Sequence, residues 1–273
     1  MHIAIQGIPG CYHHLAAKKY FGSNLEVISC MTFRDLTDTV ANNERCDGGI
    51  MAIENSIAGT ILNNYHLLME SGLKIDGEIA IRIEHHLLAL PGQEIKDIKE
   101  VHSHPMAIRQ CTQFLSTLDA IKIVEAEDTA GSARNISIGQ LKNTAAIASE
   151  ICTALYGMNS LQGNIETNSN NYTRFLILKK QLPKKPHPTR NKCSVYFNVN
   201  DTPGSLLSIL QILNTQGINL SKLQSFPVVG KRWQYYFFAD LVFPPEVDQI
   251  AVFDAIRKVT HSLEVMGVYE NKM

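Results

Sequence analysis

The stretch HIAIQGIPGCYHHLAAKKYFGSNLEVISC, residues 2–30, contains two short apolar runs with a helical pattern between them. His2–Gln6 and Leu25–Cys30 each predict a strand, and Tyr12–Phe21 predicts a helix. A strand, a helix and a second strand in this order form a βαβ unit, whose strands lie parallel and whose crossover is right-handed. The beginning of the chain therefore predicts an α/β fold.

The same alternation continues towards the middle of the chain. Phe33–Asn43 predicts a helix that begins after the N-cap Thr32, and Gly48–Ile53 predicts a third strand. A second βαβα series extends from Val101 to Tyr156, so we expect two lobes. Ligands of such sheets bind at the carboxyl ends of the strands, which places the expected site in a cleft between the lobes.

Three further segments connect or complete the lobes. EIAIRIEHHLLAL, residues 78–90, predicts one long strand that crosses from one lobe to the other. Pro105–Leu118 predicts one helix of the second lobe, and Tyr172–Leu178 predicts a strand that returns to the first lobe.

The composition changes at KKQLPKKPHPTRNK, residues 179–192, where three prolines and many cations predict an exposed linker. The pattern after it is strand, helix, strand, strand, helix, strand, which is the ferredoxin-like arrangement. These predicted elements are Cys193–Asn198, Gly204–Thr215, Asn219–Ser225, Gln234–Phe243, Val247–Val259 and Leu263–Tyr269. An exposed sheet edge in such a module favours pairing with a second copy.

The composition is that of a globular protein, since 45% of the 273 residues are hydrophobic and 19% are charged. The formal net charge of −1, without a prominent basic run, does not favour a nucleic-acid partner. The N-terminus MHIAIQGIPG lacks the pattern of a secretory signal, and no later segment has about 18 uncharged apolar residues in a row. We therefore expect a cytoplasmic protein.

Cysteine and histidine spacing does not predict a metal site. The six cysteines are scattered without a CxxC pair, which is typical of reduced, mostly buried thiols. His13-His14 and His85-His86 are adjacent pairs, whereas helical metal ligands usually recur four residues apart.

Polar side chains follow the predicted strands at the expected ligand edge. Glu54, Asn55 and Ser56 follow the third strand, and a carboxylate that ends a buried strand is costly without a role, although a simple turn is the alternative. Ser103 and Asp128 precede predicted helices, where they act either as plain caps or as part of a site. Helix N-termini favour an anionic ligand.

Other polar residues extend this set. Gln110 lies two helical turns after Ser103 and shares its face, unless it is a solvated surface residue. Thr173 and Arg174 join from the returning strand, although adjacent strand residues point to opposite faces and Arg174 then forms a structural salt bridge. Hydroxyls, amides and helix N-termini together suit a small anionic substrate.

Five motifs in fixed order carry a resemblance to a known family: IENSIAG, SHPMAIRQC, DTAGSA, AAIAS and NNYTRF. The chain resembles prephenate dehydratase over nearly its whole length, and residues 193–273 resemble the ACT regulatory domain. The resemblance implies an α/β, two-lobed, periplasmic-binding-protein-like catalytic domain at residues 1–180. Lobe one is expected at about 1–76 plus 160–180 and lobe two at about 77–159. A linker at 181–192 and an α+β ferredoxin-like ACT domain at 193–273 follow.

This family converts prephenate to phenylpyruvate with loss of water and carbon dioxide, in L-phenylalanine biosynthesis and without a metal or organic cofactor. The resemblance implies that Thr173 donates a hydrogen bond to the departing hydroxyl. We predict that Glu54, or a water that it orients, supplies the proton through Thr173. The expected substrate contacts are Asn55, Ser56, Ser103, Gln110, Thr129 and Arg174.

Feedback control by L-phenylalanine is the predicted role of the C-terminal module. Pro203 and Gly204 precede a helix whose N–H groups suit a carboxylate, and Leu206 lies on that helix. Asn219 and Leu220 supply an amide and an apolar contact. The resemblance places this effector site near a second subunit of a homodimer or homotetramer.

Two departures from the family pattern stand out, and two other functions stay open. His13 occupies a position where the family usually has Ser or Thr, so one substrate contact is lost or exchanged. Gln224-Ser225-Phe226-Pro227 replaces Glu-Ser-Arg-Pro, which bears on the strength of inhibition. Arogenate dehydratase is the first alternative, because its substrate differs only in an ammonium-bearing side chain. A cytoplasmic amino-acid-binding sensor without catalysis is the second.

Overall fold

The computed structural model describes residues 1–182, 189–228, 230–231 and 234–272. The chain divides into two compact units. The first unit comprises Met1–Leu67 and Ile79–Phe175, and the second comprises Leu68–Glu78 and the chain from Leu176 onward. Within the predicted linker at 181–192, residues 183–188 lie outside the described part of the chain.

Two sheets of strands and their helices account for the N-terminal part of the chain. In order, the elements are β1 His2–Gln6, α1 Tyr12–Phe21, β2 Glu26–Cys30, α2 Phe33–Asn42, β3 Gly48–Asn55, β4 Gly59–Thr60, α3 Leu62–Ser71, β5 Lys74–Arg82, β6 His86–Ala89, β7 Glu100–Ser103, α4 Pro105–Gln110, α5 Thr112–Leu115, β8 Lys122–Glu125, α6 Thr129–Gly139, β9 Thr144–Ala148, α7 Ile151–Tyr156, β10 Asn159–Gln162 and β11 Tyr172–Lys179. The first sheet has the order β2-β1-β3-β11-β5, with β4 paired to β3, and the second has the order β10-β6-β9-β7-β8. The predicted α/β class and its two-lobed arrangement are confirmed.

The first sheet begins with the predicted βαβαβ series. β1 pairs in parallel with both β2 and β3. The predicted cap of α2 is present, because Thr32 Oγ1 accepts from Asp35 N and the Asp35 carboxylate accepts from Thr32 N. This helix packs closely on β3, since a Cβ at Gly49 would lie 2.5 Å from Val40 Cγ2. A glycine is therefore needed where α2 crosses the sheet.

The stretch 78–90 is two strands rather than the one predicted strand. β5 ends at Arg82 in the first sheet, and β6 begins at His86 in the second sheet. The expected lobe boundaries change accordingly: residues 77–82 belong to the first sheet, and β10 belongs to the second. The apolar alternation ends at Ile83, and the polar residues Glu84 and His85 that follow it mark the break.

The predicted helix Pro105–Leu118 is also interrupted, and α4 and α5 meet at Cys111. Thr167 is the physical cause. Its main-chain N–H donates to the Gln110 carbonyl at 2.7 Å, and its hydroxyl accepts from Gln113 N at 3.3 Å. Thr167, which is more than fifty positions away in the sequence, thus binds the Gln110 carbonyl and the Gln113 N–H. A continuous helix would pair both groups within itself.

The C-terminal module has the predicted βαββαβ order. Its elements are β12 Lys192–Asn198, α8 Ser205–Thr215, β13 Asn219–Pro227, β14 Tyr235–Val242, α9 Gln249–Arg257 and β15 Ser262–Tyr269. The strands form an antiparallel sheet in the order β13-β14-β12-β15. Side chains of both helices and the sheet share one apolar core, which includes Val195, Ile209, Leu241 and Phe253. The ferredoxin-like arrangement is confirmed.

A buried ion pair lies inside the second unit. Lys192 Nζ lies 2.9 Å and 3.0 Å from the two carboxylate oxygens of Glu78, and both side chains are almost completely buried. Gly267 lies so close to the same segment that a Cβ would come within 2.0 Å of the Ile75 carbonyl oxygen. The segment Leu68–Glu78 is therefore an integral part of this unit.

Among the described residues, no helix is long and apolar enough to span a membrane. All six cysteines fall within the described residues and are free thiols, as their spacing predicts.

Candidate active site

A cavity of about 330 Å³ lies inside the first unit. Its wall combines the end of β1, the start of α1, β3 and β11 with the N-terminal ends of α4 and α6, so both sheets contribute. Among the described residues, no Lys or Arg side chain lines it. A larger and shallower groove of about 780 Å³ runs between Gln93–Ile95 and Glu150–Leu161, but its polar groups are mostly on the surface.

Thr173 and Asn55 meet at the wall of the cavity. The Asn55 side-chain oxygen accepts from the main-chain N–H groups of Ile57 and Ala58, at 2.9 Å and 2.8 Å. Its Nδ2 is thereby turned towards β11, where it donates to Thr173 Oγ1 at 2.9 Å. Because Thr173 accepts from Asn55, its own hydroxyl hydrogen is available to an acceptor in the cavity.

A chain of side-chain hydrogen bonds continues from Asn55 into the second lobe. Asn55 Nδ2 also donates to Asn171 Oδ1 at 2.7 Å, and Asn171 Nδ2 donates to Gln110 Oε1 at 3.0 Å. His85 Nε2 lies 2.8 Å from the same Gln110 oxygen, and Tyr12 OH lies 2.7 Å from His85 Nδ1. Burial lowers the pKa of His85, so the neutral imidazole is favoured.

The N-terminus of α6 forms another part of the wall. Asp128 is the N-cap, and its Oδ1 accepts from Gly131 N at 2.6 Å. Burial raises the pKa of this carboxyl above its ordinary value. Thr129, the first residue of α6, is buried and lines the cavity. At the neighbouring helix α4, His104 is the cap, with Nδ1 accepting from Met106 N at 3.1 Å.

His13 lines the cavity as a neutral imidazole. Its Nε2 accepts from Ala52 N at 3.2 Å, and its ring packs edge-on against Phe175 with the ring centres 5.0 Å apart. β1 pairs with β3 only as far as Ile50, so His13 supplies an acceptor beyond the end of the strand pairing. Burial lowers the pKa of His13 to about 3.

Glu54 and Arg174 do not line the cavity. The Arg174 guanidinium is buried and lies 3.7 Å from the Glu54 carboxylate. Since adjacent strand residues point to opposite faces, Asn55 and Thr173 face the cavity while Glu54 and Arg174 face away from it. This geometry does not support the predicted proton relay from Glu54 through Thr173, nor a direct substrate contact from Arg174.

Two hydroxyls of the predicted set have structural partners instead. Ser103 is completely buried, and its hydroxyl donates to the Ile147 carbonyl at 2.6 Å. Ser56 Oγ donates to the Asn170 carbonyl at 2.8 Å and accepts from Tyr172 N at 2.9 Å. Neither residue lines the cavity.

The predicted effector residues lie in the second unit. Gly204 is the N-cap of α8 with φ of 91°, a conformation that favours glycine. Pro203 and Asn219 are exposed, whereas Leu206 and Leu220 pack against the core of the module.

Sequence patterns missed Tyr12, His85 and Asn171 as parts of the site. In the sequence, His85 stands out only as a candidate metal ligand, and the adjacent His86 argues against that role. Asn171 stands inside NNYTRF, so the motif itself was the available signal. Tyr12 begins α1, and its contacts with the Glu84 carbonyl oxygen and with His85 are visible only in the folded chain.

Comparison with known proteins identifies the family. The model of the prephenate dehydratase family matches residues 3–183. The bifunctional chorismate mutase/prephenate dehydratase of Aquifex aeolicus is 35% identical over 270 residues, which cover 98% of this chain and 73% of that protein. Arogenate dehydratase 2 of Petunia hybrida is 37% identical over 230 residues, 84% of this chain and 57% of that protein.

A solved structure has the same fold. The prephenate dehydratase of Arthrobacter aurescens in complex with L-Phe matches with a TM-score of 0.88 and 24% identity. The match covers 99% of this chain and 90% of that chain.

Proposed function

The chain belongs to the prephenate dehydratase family, and from this premise we propose that it converts prephenate to phenylpyruvate in the cavity of the first unit. The observation that carries the proposal is the hydrogen bond from Asn55 Nδ2 to Thr173 Oγ1. It leaves the Thr173 hydroxyl hydrogen for the departing group of a substrate in the cavity.

The reaction breaks two bonds of the prephenate ring. The bond to the ring carboxylate breaks and releases carbon dioxide, and its electron pair enters the ring. The ring hydroxyl leaves as hydroxide and takes up a proton to become water. Because the ring becomes aromatic, the protein mainly has to orient the dianion and stabilise the departing hydroxide.

In this proposal Thr173 is the catalytic residue, since its hydroxyl donates to the leaving oxygen. A threonine hydroxyl is too weak an acid to be the final proton source, and the orientation of Glu54 leaves it outside the proposed proton transfer. Asn55 acts through Thr173, because both of its amide hydrogens are used within the protein. Gln110 and Thr129 line the cavity and bind substrate oxygens.

The test is a direct assay of the purified chain at neutral pH. Incubation with prephenate is expected to release phenylpyruvate and carbon dioxide in equal amounts, well above the rate without protein. A rate equal to that of the protein-free control overturns the proposal.

Arogenate is the second candidate substrate, because the carboxylates that line the cavity suit its ammonium group. Glu127 and Asp128 line the cavity, whereas no Lys or Arg of the described residues does. An ammonium-bearing substrate offers a partner for a carboxylate in such a cavity. Asp128→Asn keeps a good helix cap and removes the charge. We expect it to shift the ratio of kcat/KM towards prephenate.

The ratio is measured with both substrates on the wild-type chain and on Asp128→Asn. Glu150→Gln, an exposed position outside this cavity, is the control. An unchanged ratio would show that Asp128 does not take part in substrate choice.

The proposal also includes inhibition by L-phenylalanine through an ACT-type role of the C-terminal module. The N–H groups at the start of α8, after Pro203 and Gly204, suit its carboxylate, and Asn219 supplies an amide. Leu206 and Leu220 offer apolar contacts for the ring. Phe226 is buried in β13 and supplies no charge to this site.

The full chain is the right material for this test, because Leu68–Glu78 is part of the second unit and a 190–273 fragment would lack it. Calorimetry is expected to show binding of L-phenylalanine, and turnover is expected to fall by about 5- to 150-fold at saturation. A chain that neither binds nor responds at millimolar L-phenylalanine overturns the regulatory proposal. Light scattering measures whether the proposed homodimer or homotetramer forms.

A further inference from the structure

The orientation of each amide between Asn55 and Gln110 follows from one main-chain anchor. Asn55 Oδ1 accepts from two main-chain N–H groups, so the amide cannot turn over without leaving both donors unsatisfied. Its Nδ2 is therefore a donor, and the oxygen of Asn171 that faces it at 2.7 Å is an acceptor.

The orientation of the Gln110 amide follows from that of Asn171. With Asn171 Oδ1 facing Asn55, Asn171 Nδ2 faces Gln110 and donates to Gln110 Oε1. The group at 2.8 Å on the other side of that oxygen is His85 Nε2, which must also donate. The neutral His85 ring therefore carries its hydrogen on Nε2, and its Nδ1 is an acceptor. Tyr12 OH lies 2.7 Å from Nδ1 and 2.9 Å from the Glu84 carbonyl oxygen, so its one hydrogen is shared between these two acceptors.

The nitrogen at the other end of the Gln110 amide is left without a partner in the described part of the chain. The amide oxygen accepts from two donors, so Nε2 is the group of this amide left for a ligand in the cavity that Gln110 lines. Nε2 has no acceptor among the described residues. Its two hydrogens are left for an acceptor such as a substrate carboxylate.

We propose that His85 is a positioning residue: its Nε2–H holds the Gln110 amide so that Gln110 presents N–H groups rather than an oxygen to the substrate anion. This inference rests on the proposed function for the identity of that anion. Without the His85 donor, only Asn171 retains the Gln110 oxygen, and a rotated amide would place an oxygen against a carboxylate.

His85 itself is held from both sides. Its main-chain N–H donates to Glu166 Oε2 at 3.0 Å, and Glu166 Oε1 pairs with Arg82 at 2.9 Å. Its ring meets Tyr12 edge-on, with the ring centres 5.5 Å apart. A buried side chain held at its main chain, its ring face and its Nδ1 suits the role of a fixed donor.

The kinetic test compares two substitutions of His85. His85→Leu removes the donor, whereas His85→Gln retains an N–H near the position of Nε2. We expect His85→Leu to raise KM for prephenate by about 5- to 30-fold with kcat within about threefold, since a uniform binding contact is lost. His85→Gln is expected to recover most of that loss.

His86→Leu is the matched control, because His86 bonds to Ser160 and lies outside the cavity. Circular dichroism and thermal unfolding check that each variant is folded. A folded His85→Leu variant with wild-type KM overturns the inference, as does a His85→Gln variant no better than His85→Leu.

A second measurement does not depend on activity. ¹⁵N NMR of the imidazole rings is expected to show His85 protonated on Nε2 at neutral pH. His13, whose Nε2 accepts from Ala52 N, is expected to carry its hydrogen on Nδ1 and serves as the internal reference. A His85 ring protonated on Nδ1 overturns the inference even if the chain is an active dehydratase. Absence of turnover in the wild type instead overturns the proposed function and leaves the tautomer result standing.

Discussion

Asn55 Nδ2 donates a 2.9 Å hydrogen bond to Thr173 Oγ1, and this contact sets the direction in which the threonine can donate. A hydroxyl that accepts from an amide has its hydrogen left for another partner. The amide is in turn fixed by the main chain at Ile57 and Ala58. A main-chain turn after β3 therefore determines the polarity of the proposed catalytic hydroxyl.

Asn55→Asp tests this polarity with almost no change in shape. The carboxylate replaces a donor by an acceptor, so Thr173 is expected to donate to residue 55 instead of to the substrate. We expect kcat to fall by about 10²-fold or more, which is typical of losing one transition-state donor. Steady-state kinetics with prephenate measures the effect.

Asn43→Asp, at the exposed C-cap of α2, is the control for the added charge. A folded Asn55→Asp variant with more than about a third of the wild-type kcat would contradict the inferred polarity.

His13 is expected to contribute to acid sensitivity. Its pKa is lowered to about 3 by burial, so between about pH 3 and pH 6.5 the unfolded chain binds more protons than the folded chain. His13 therefore stabilises the folded chain above about pH 6.5, and this stabilisation is lost as the pH falls towards about 3. His13→Gln cannot titrate, and we expect it to reduce the loss of unfolding free energy between pH 7 and pH 5 by about 2 kcal/mol.

Urea unfolding at the two pH values measures this difference. His13→Leu should show the same reduced pH dependence, with about 1–3 kcal/mol lower stability at pH 7, because Ala52 N then has no acceptor. His14 and His85 also have lowered pKa values and leave a residual dependence of the same sign. An unaltered profile in His13→Gln would show that His13 is not the group responsible.

Lys192→Met is expected to destabilise the chain by about 3–5 kcal/mol, because it leaves the buried Glu78 carboxylate without its ammonium partner. Urea unfolding at pH 7 measures the change. Lys122→Met, which breaks a similar 2.9 Å pair with Glu100 at the surface, should cost far less, because solvent screens an exposed ion pair. If the two substitutions have equal effects, the buried pair is not the source of the stability.

Local patterns were sufficient for most elements of the fold. α1 has the predicted bounds Tyr12–Phe21, and the cap of α2 is the predicted Thr32 and Asp35 pair. Both depend on residues a few positions apart. The break between α4 and α5 was missed because its cause, Thr167, is distant in the sequence and contributes only after the chain has folded.

The sequence predicts which residues lie near the candidate site, but it does not predict which of them face the cavity or which partners they bind. Strand alternation requires that Glu54 and Asn55 face opposite ways, but the sequence does not indicate which of them faces the cavity. Ser103 looked suitable because it precedes a helix, yet its hydroxyl is taken by the carbonyl of Ile147 in a neighbouring strand. The carbonyl that accepts from Ser103 is known only once the order of the strands shows that β9 lies beside β7.

The role of the Thr173 hydroxyl is measured by the kcat of Thr173→Val on prephenate, compared with Thr173→Ser as the matched variant that keeps a hydroxyl. Valine preserves the shape of the buried side chain and removes the hydroxyl proposed to donate to the departing hydroxide. We predict a fall of about 10²- to 10³-fold for valine and about tenfold or less for serine, with both variants folded. A Thr173→Val variant that retains more than about a third of the wild-type kcat would show that Thr173 is not the catalytic donor.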